Sequence, residues 1–397
     1  MGSKSFAIRL VLTIAVVLAN GCQKNDVVAQ DPSDSVAVTT TQALSDAAGT
    51  DITSDVGGDS NAAVDEAEPE PAVADQPTEP QETAKTDEND GCPDIHAHAP
   101  LCEKQLKVLS EIIQDPEPEV LYAVHAETIG RHYLVSDEKH PELFKESIEN
   151  KGNTYIGVGF EQGYLYIGWQ RPSLAFFIDY DPWVVLNHRV VVEVMKKCDN
   201  AQCLYEHFSK PDIGDAFLET PQAEQAGFTT KEAKHRIQRL RYAVTQALAK
   251  LRESELPTMM NTPEIYQYIR DMILGGRLRV LQANLLETGG IQSIAKAMEQ
   301  LGIGVQALYL SNAEQYWNYT EAFKVNMLAL PFTEDGIVMR TRATYPRNSD
   351  YRYSIQPASI FKQWMAHPKT RAVKPMTKHV SVRPDTFPFV VDDLLPE

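Results

Sequence analysis

Between Arg171 and Asp181 the chain runs Pro-Ser-Leu-Ala-Phe-Phe-Ile-Asp-Tyr, so that Leu174 to Ile178 are five apolar residues in unbroken succession. A strand of this kind lacks a polar face and must be covered on both sides, as strands of parallel sheets are. The neighbouring segments supply the cover. Thr154 to Gly159 reads as a short strand ending in glycines, Glu161 to Trp169 as a helix, and Trp183 to Met195 as another. Further along, the periodicity predicts helices over Lys231 to Glu253, Thr262 to Leu274, Gly290 to Leu301 and Tyr319 to Leu328. Strands are predicted over Leu278 to Asn284, Val305 to Leu310 and Gly336 to Thr341. This alternation predicts an α/β fold, a mostly parallel sheet flanked by helices. The helical block from about Gly214 to Gly275 breaks it and is expected as an insertion or a cap over one sheet edge. Before the sheet, Leu106 to Ile113 reads as a short amphipathic helix, closed by Asp115-Pro-Glu-Pro118.

The first ninety residues obey different rules. Met1 to Leu10 is a short basic region, Val11 to Leu18 an apolar run, and Ala19-Asn-Gly-Cys22 a small-residue cleavage site, the order of a secretory signal. The apolar run is too short for a spanning helix. A cysteine directly after small residues predicts a bacterial lipoprotein: residues 1–21 removed, Cys22 acylated, and the chain held to a membrane by that lipid. Gln23, where Asp would favour the inner membrane, points to the outer membrane. Residues 22–90 are rich in Asp, Glu, Ala, Thr, Ser and Pro and cannot bury enough apolar surface to fold. Seventeen acidic residues against Lys24 and Lys85 give this stretch −15 of the whole chain's −18. The acidity therefore belongs to a disordered, self-repelling tether. The remainder, 91–397, is long enough for one large domain, with no basic stripe of a nucleic-acid binder.

Four further cysteines form two close pairs, Cys92 with Cys102 and Cys198 with Cys203, which in an exported chain favours disulfides. The first pair encloses His96 and His98, and Cys-x3-His-x-His-x3-Cys is a set that zinc would accept. Its spacing matches no standard zinc pattern, so disulfides are the expectation and the metal set Cys92, His96, His98, Cys102 the alternative. The second pair reads as a staple at a helix end.

Gly157, Gly159 and Gly163 lie after a strand and before a helix, and Asp179 ends the next strand. In a nucleoside-binding α/β unit such glycines admit the ligand to the backbone and the acid accepts ribose hydroxyls; a tight strand-helix turn needs the same glycines. Asn284 and Ser311-Asn312 close two further strands, so their loops point to the same crevice.

Tyr155-Ile-Gly-Val-Gly-Phe-Glu161-Gln162 with Arg171 to Asp179, and Leu308-Tyr-Leu-Ser311-Asn312-Ala-Glu314-Gln315-Tyr316, resemble an uncharacterised bacterial family with a class I methyltransferase-like fold, over about Ala123 to Arg342. The resemblance implies a Rossmann-like sheet, Gly157, Gly159 and Glu161 in the first loop, and Asp179 as the ribose-facing acid. S-adenosylmethionine is the cofactor it suggests. At Gly163 the chain departs from the family's usual Asn followed by an aromatic residue. The resemblance carries a fold and a crevice, not a reaction. That donor is not ordinarily available outside the cytoplasm, no Asn-Pro-Pro-aromatic run is present, and His125, His132 and His188 are lone candidate bases. Three readings stand: a small-ligand or partner-binding domain without turnover, an active methyltransferase, or a structural envelope lipoprotein using its basic, aromatic Tyr345 to Arg383 segment for contacts.

Overall fold

The computed structural model describes residues 91–121, 129–210, 230–343, 351–377 and 389–397. Cys22, the signal and tether segments 1–90, and His125 lie outside the described residues, as do 214–229 of the helical block and parts of the Tyr345 to Arg383 segment.

The described residues belong to one compact unit. It is built on seven strands, β1 (Thr154–Gly157), β2 (Leu174–Asp179), β3 (Leu278–Gln282), β4 (Val305–Tyr309), β5 (Phe332–Ala343), β6 (Tyr351–Pro357) and β7 (Phe389–Val391). Their order is β3-β2-β1-β4-β5-β6-β7, and every neighbouring pair is parallel except β5 with β6. The helices are α1 (Glu103–Ser110), α2 (Lys145–Ile148), α3 (Glu161–Gln170), α4 (Pro182–Lys197), α5 (Ala201–Ser209), α6 (Thr230–Glu253), α7 (Pro263–Leu274), α8 (Gly289–Leu301), α9 (Glu321–Ala329) and α10 (Ala358–Ala366). The sheet is thus mostly parallel and flanked by helices, as expected.

β2 shows why. Ala175 and Phe177 face one core with Tyr155, while Leu174, Phe176 and Ile178 face the other with Ile156. Successive side chains of a strand point to opposite faces, and here each face meets a helical layer. The connections β1 to β2 to β3 run over one face and β3 to β4 to β5 over the other. Accordingly α3, α4 and α7 join the first core, and α8 and α9, with α1 and α10, the second.

Of the two readings of the helical block, an insertion or a cap over a sheet edge, the cap does not hold. In its described part α6 packs on α3, α4 and α5, and α7 on α3 and α4. The reason lies in α3, whose ten residues are all buried. A helix buried all round needs cover on its outer side, and α6 supplies it with Leu240, Val244, Leu248 and Leu251. The periodicity does not reveal β6, β7, α5 or α10. Of these, β6 and α10 draw the described part of the Tyr345 to Arg383 segment into the fold, with Tyr353 and Phe361 fully buried rather than presented for contacts. Among the described residues no helix is long and apolar enough to cross a membrane.

Candidate functional site

The glycine loop after β1 is bound by its own neighbours. Gly159 turns with φ +81°, a conformation that favours glycine. Its N–H donates to Asp179 Oδ2 at 3.0 Å and its carbonyl accepts from His188 Nε2 at 2.7 Å. A carbonyl only accepts, so the His188 proton sits on Nε2. A Cβ at Gly163 would lie 2.8 Å from Phe177 Cε1, so this glycine lets α3 close onto β2. Two glycine roles of a dinucleotide loop, turn and close packing, are present. The third, backbone approach to a ligand, is taken by Asp179.

Asp179, expected to face a ribose, is engaged from within: Oδ2 holds Gly159 N–H and Oδ1 accepts from Asp181 N at 2.9 Å. Asp181 caps α4 by accepting from Trp183 N, with Pro182 at the first helical position. Burial above all, with the adjacent Asp181 charge, pushes Asp179 up to about 7 against the lowering by those amides. Burial pushes His188 down to about 3. Asp179 thus holds its proton more tightly when folded, and its contribution to stability, complete below its ordinary 3.8, is lost as pH rises through about 7. His188 has the opposite sign: its contribution is complete above 6.5 and is lost as pH falls toward about 3. The slopes oppose each other across the shared window. Asp179→Asn removes one of them, so its deficit in thermal midpoint against wild type should be largest near about pH 4 and shrink toward about pH 7. An equal deficit at both values would show that Asp179 does not titrate in this range.

The crevice itself is filled by the chain. Residues 131–140 carry no helix or strand and form a strap across the carboxyl ends of β1, β2, β4 and β5. At one end His132 Nδ1 meets the Asp181 carboxylate at 2.9 and 3.0 Å while its ring stacks on Trp183. In the middle, Ser136 N donates to Glu161 at 2.9 and 3.2 Å. Glu138, 2% exposed, points down onto the sheet edge. Its carboxylate accepts from Tyr309 Oη at 2.8 and 2.9 Å, Ser311 Oγ at 2.9 Å, Thr341 Oγ1 at 2.7 Å and Gln162 Nε2 at 2.5 Å. Tyr351 Oη then donates to Asp137, and the amides of Lys139 and His140 to Tyr353 Oη. From above, Lys250 Nζ reaches the carbonyls of Ser136 and Glu138 and the Glu161 carboxylate. Burial pushes both carboxyls up, opposed at Glu138 by its hydroxyl donors and at Glu161 by Lys250.

The remaining residues named from sequence divide. Ser311 joins the Glu138 cluster, in the left-handed region at φ +49°. Asn312 turns away, its Nδ2 donating to the Tyr316 and Tyr351 hydroxyls. Asn284 is spent locally: its Oδ1 accepts from Leu286 N, and its own N–H donates to Asp115, which also takes Gly290 N–H at the start of α8. Gly157, Gly159, Glu161, Asp179 and Ser311 thus meet at one edge, but toward each other and the strap. His132 and His188 are both bonded within the fold. Cys92 is bonded to Cys102 and Cys198 to Cys203, the latter joining the end of α4 to α5. The first bond takes both thiols from the metal alternative, leaving His96 and His98 exposed, and no cluster of three ligating side chains occurs among the described residues.

Sequence reasoning missed Glu138, Gln162, Thr341 and Asp115. Glu138 lies in Ser-Asp-Glu-Lys, which reads as a solvated loop. Tyr309 carried a signal, a hydroxyl in an apolar strand two residues before Ser311. On the outer side of the strap, a groove of about 420 Å³ opens between its residues 131–135 and α6, lined by Arg131, Tyr133, His235, Arg239 and Tyr242 among others.

The family described as a domain of unknown function (DUF7790) matches residues 133–386, a span that takes in the strap from Tyr133 onward. No curated protein matches the chain.

Proposed function

Since the chain belongs to the DUF7790 family, whose description assigns no activity, we propose from the site itself that it is an exported, Cys22-acylated lipoprotein whose methyltransferase-like α/β domain binds a ligand or partner without methyl transfer. The observation that carries this reading is the strap. A nucleoside ligand at the carboxyl ends of these strands needs the glycine-loop amide and the Asp179 carboxylate, and these two groups are bonded to each other. The strap crosses the same strand ends, with His132 on Asp181 beside them and Glu138 on Ser311 and Thr341 further along. The address agrees: the methyl donor is not ordinarily supplied where a lipoprotein would stand. A surface recess of the size that takes small ligands remains beside α6.

Isothermal titration of the purified full chain with S-adenosylmethionine and with its demethylated product tests the proposal. No heat is expected from either through the millimolar range. Micromolar binding that Asp179→Ala abolishes would overturn the closed crevice while leaving a ligand-binding domain, and turnover of a labelled methyl group would overturn the proposal and make the chain an active methyltransferase. The anchor has its own measurement: labelled palmitate should enter the wild-type chain and be absent from Cys22→Ser.

A further inference from the structure

Burying a carboxylate costs several kcal/mol unless donors meet it, and an apolar side chain would have plugged this crevice more simply. The sheet instead presents a shaped socket. Tyr309 Oη, Ser311 Oγ, Thr341 Oγ1 and Gln162 Nε2 converge from β4, its following turn, β5 and α3 on the two oxygens of Glu138. All four donors are neutral. Lys250, the nearest cation of the cluster, reaches the Glu138 carbonyl and not its carboxylate. Neutral donors around a planar pair of oxygens suit a monoanionic carboxylate; a phosphate would call for a cation.

Ser311 supplies an independent observation. It is a non-glycine residue at positive φ, at the end of a central strand. Such strain gathers at ligand sites. Here it directs a hydroxyl into the socket. The carrier of Glu138, by contrast, belongs to no helix or strand, and its displacement breaks no element of the fold.

We propose that Gln162, Tyr309, Ser311 and Thr341 form a carboxylate-binding subsite, occupied in the resting chain by Glu138 and yielded to the carboxylate of a ligand when the 131–140 strap lifts. This deepens the proposed binding function and rests on it: the strap is an internal competitor, and ligands lacking a carboxylate are refused.

One test uses Glu138→Ala in the full chain, with acetate as probe and acetamide and inorganic phosphate as controls at matched ionic strength. Acetate should raise the variant's thermal midpoint saturably, with half-saturation about tenfold lower than either control. The wild type should show no saturable response. A folded Glu138→Ala that responds to acetate as it does to acetamide would overturn the subsite. The other test needs no variant. In wild type, hydrogen exchange at the amides of Ser136, Lys139 and His140 should proceed through an opening cheaper than global unfolding, and acetate should accelerate it about tenfold over acetamide. Exchange only by global unfolding, unaffected by acetate, would overturn the proposal even if Glu138→Ala does not fold. Turnover of a labelled methyl group would refute the function without methyl transfer and leave the socket standing. A socket indifferent to acetate would leave the crevice closed with no carboxylate role.

Discussion

Arg340→Ala should lower the unfolding free energy by about 3–5 kcal/mol in urea denaturation, the range for breaking one side of a buried ion pair. Arg340 on β5 is 1% exposed. Its Nε donates to Glu314 at 2.6 Å, one terminal nitrogen donates to Gln356 at 3.0 Å, and the same nitrogen stands 3.8 Å from Asp392. Arg352 on β6 donates to the other Asp392 oxygen at 2.8 Å, and the Tyr319 hydroxyl completes Glu314. Glu314 and Asp392 are both buried. Alanine would leave Glu314 with a single neutral donor in a desolvated site, so the acid must take up a proton or water must enter. Because Asp392 directly succeeds β7, loosening the cluster should also speed proteolysis of the C-terminal strand. The double variant Glu314→Gln/Arg340→Met, which removes both charges, should cost less than the sum of its single variants. A loss below about 1 kcal/mol for Arg340→Ala would mean that water already reaches these charges.

Phe144→Ala should cost about 3–5 kcal/mol, as large aromatic truncations in cores do, and should release the strap as well. Phe144 is fully buried in the turn Pro141–Phe144, where the strap rejoins the fold. Its ring meets Tyr166, Tyr309, Tyr353 and Phe389 edge-on, with centroids 5.6 to 6.3 Å away. Two of these rings carry the hydroxyls that hold the strap, Tyr309 on Glu138 and Tyr353 on the amides of Lys139 and His140. The cavity left by alanine would let both rings shift. Exchange at Ser136, Lys139 and His140 should therefore rise further than the fall in global stability explains. Phe144→Leu, which keeps most of the volume, should keep most of the protection. Lost stability with unchanged local exchange would separate the aromatic cluster from the strap.

The local elements were legible where the chain's periodicity is itself local. The apolar run 174–178 specified a strand covered on both faces, and the predicted bounds of α3, α4, α6, α7 and α8 lie within a few residues of those observed. The edge was harder. β6 gains its place only by pairing back along β5, and β7, three residues long, only by pairing with β6. Pairing of that kind leaves little trace in a short segment.

The candidate site divides along the same line. The sequence determined which residues stand at the carboxyl ends of the strands: Gly157, Gly159 and Asp179 from the glycine spacing and the strand-ending acid, Ser311 and Asn312 from the turn after β4. It also determined the separation of an acidic N-terminal stretch from a nearly neutral remainder. Only the tertiary structure decided what those residues face. Glu138 reaches Ser311 and Thr341 across 173 and 203 residues of chain, and a carboxylate in a polar loop gives no sign in sequence that it will be buried. The physical reason is that hydrogen bonds at a crevice are made between groups from distant segments. Composition states that donors and acceptors exist, and packing alone decides whether a ligand or the chain itself will satisfy them.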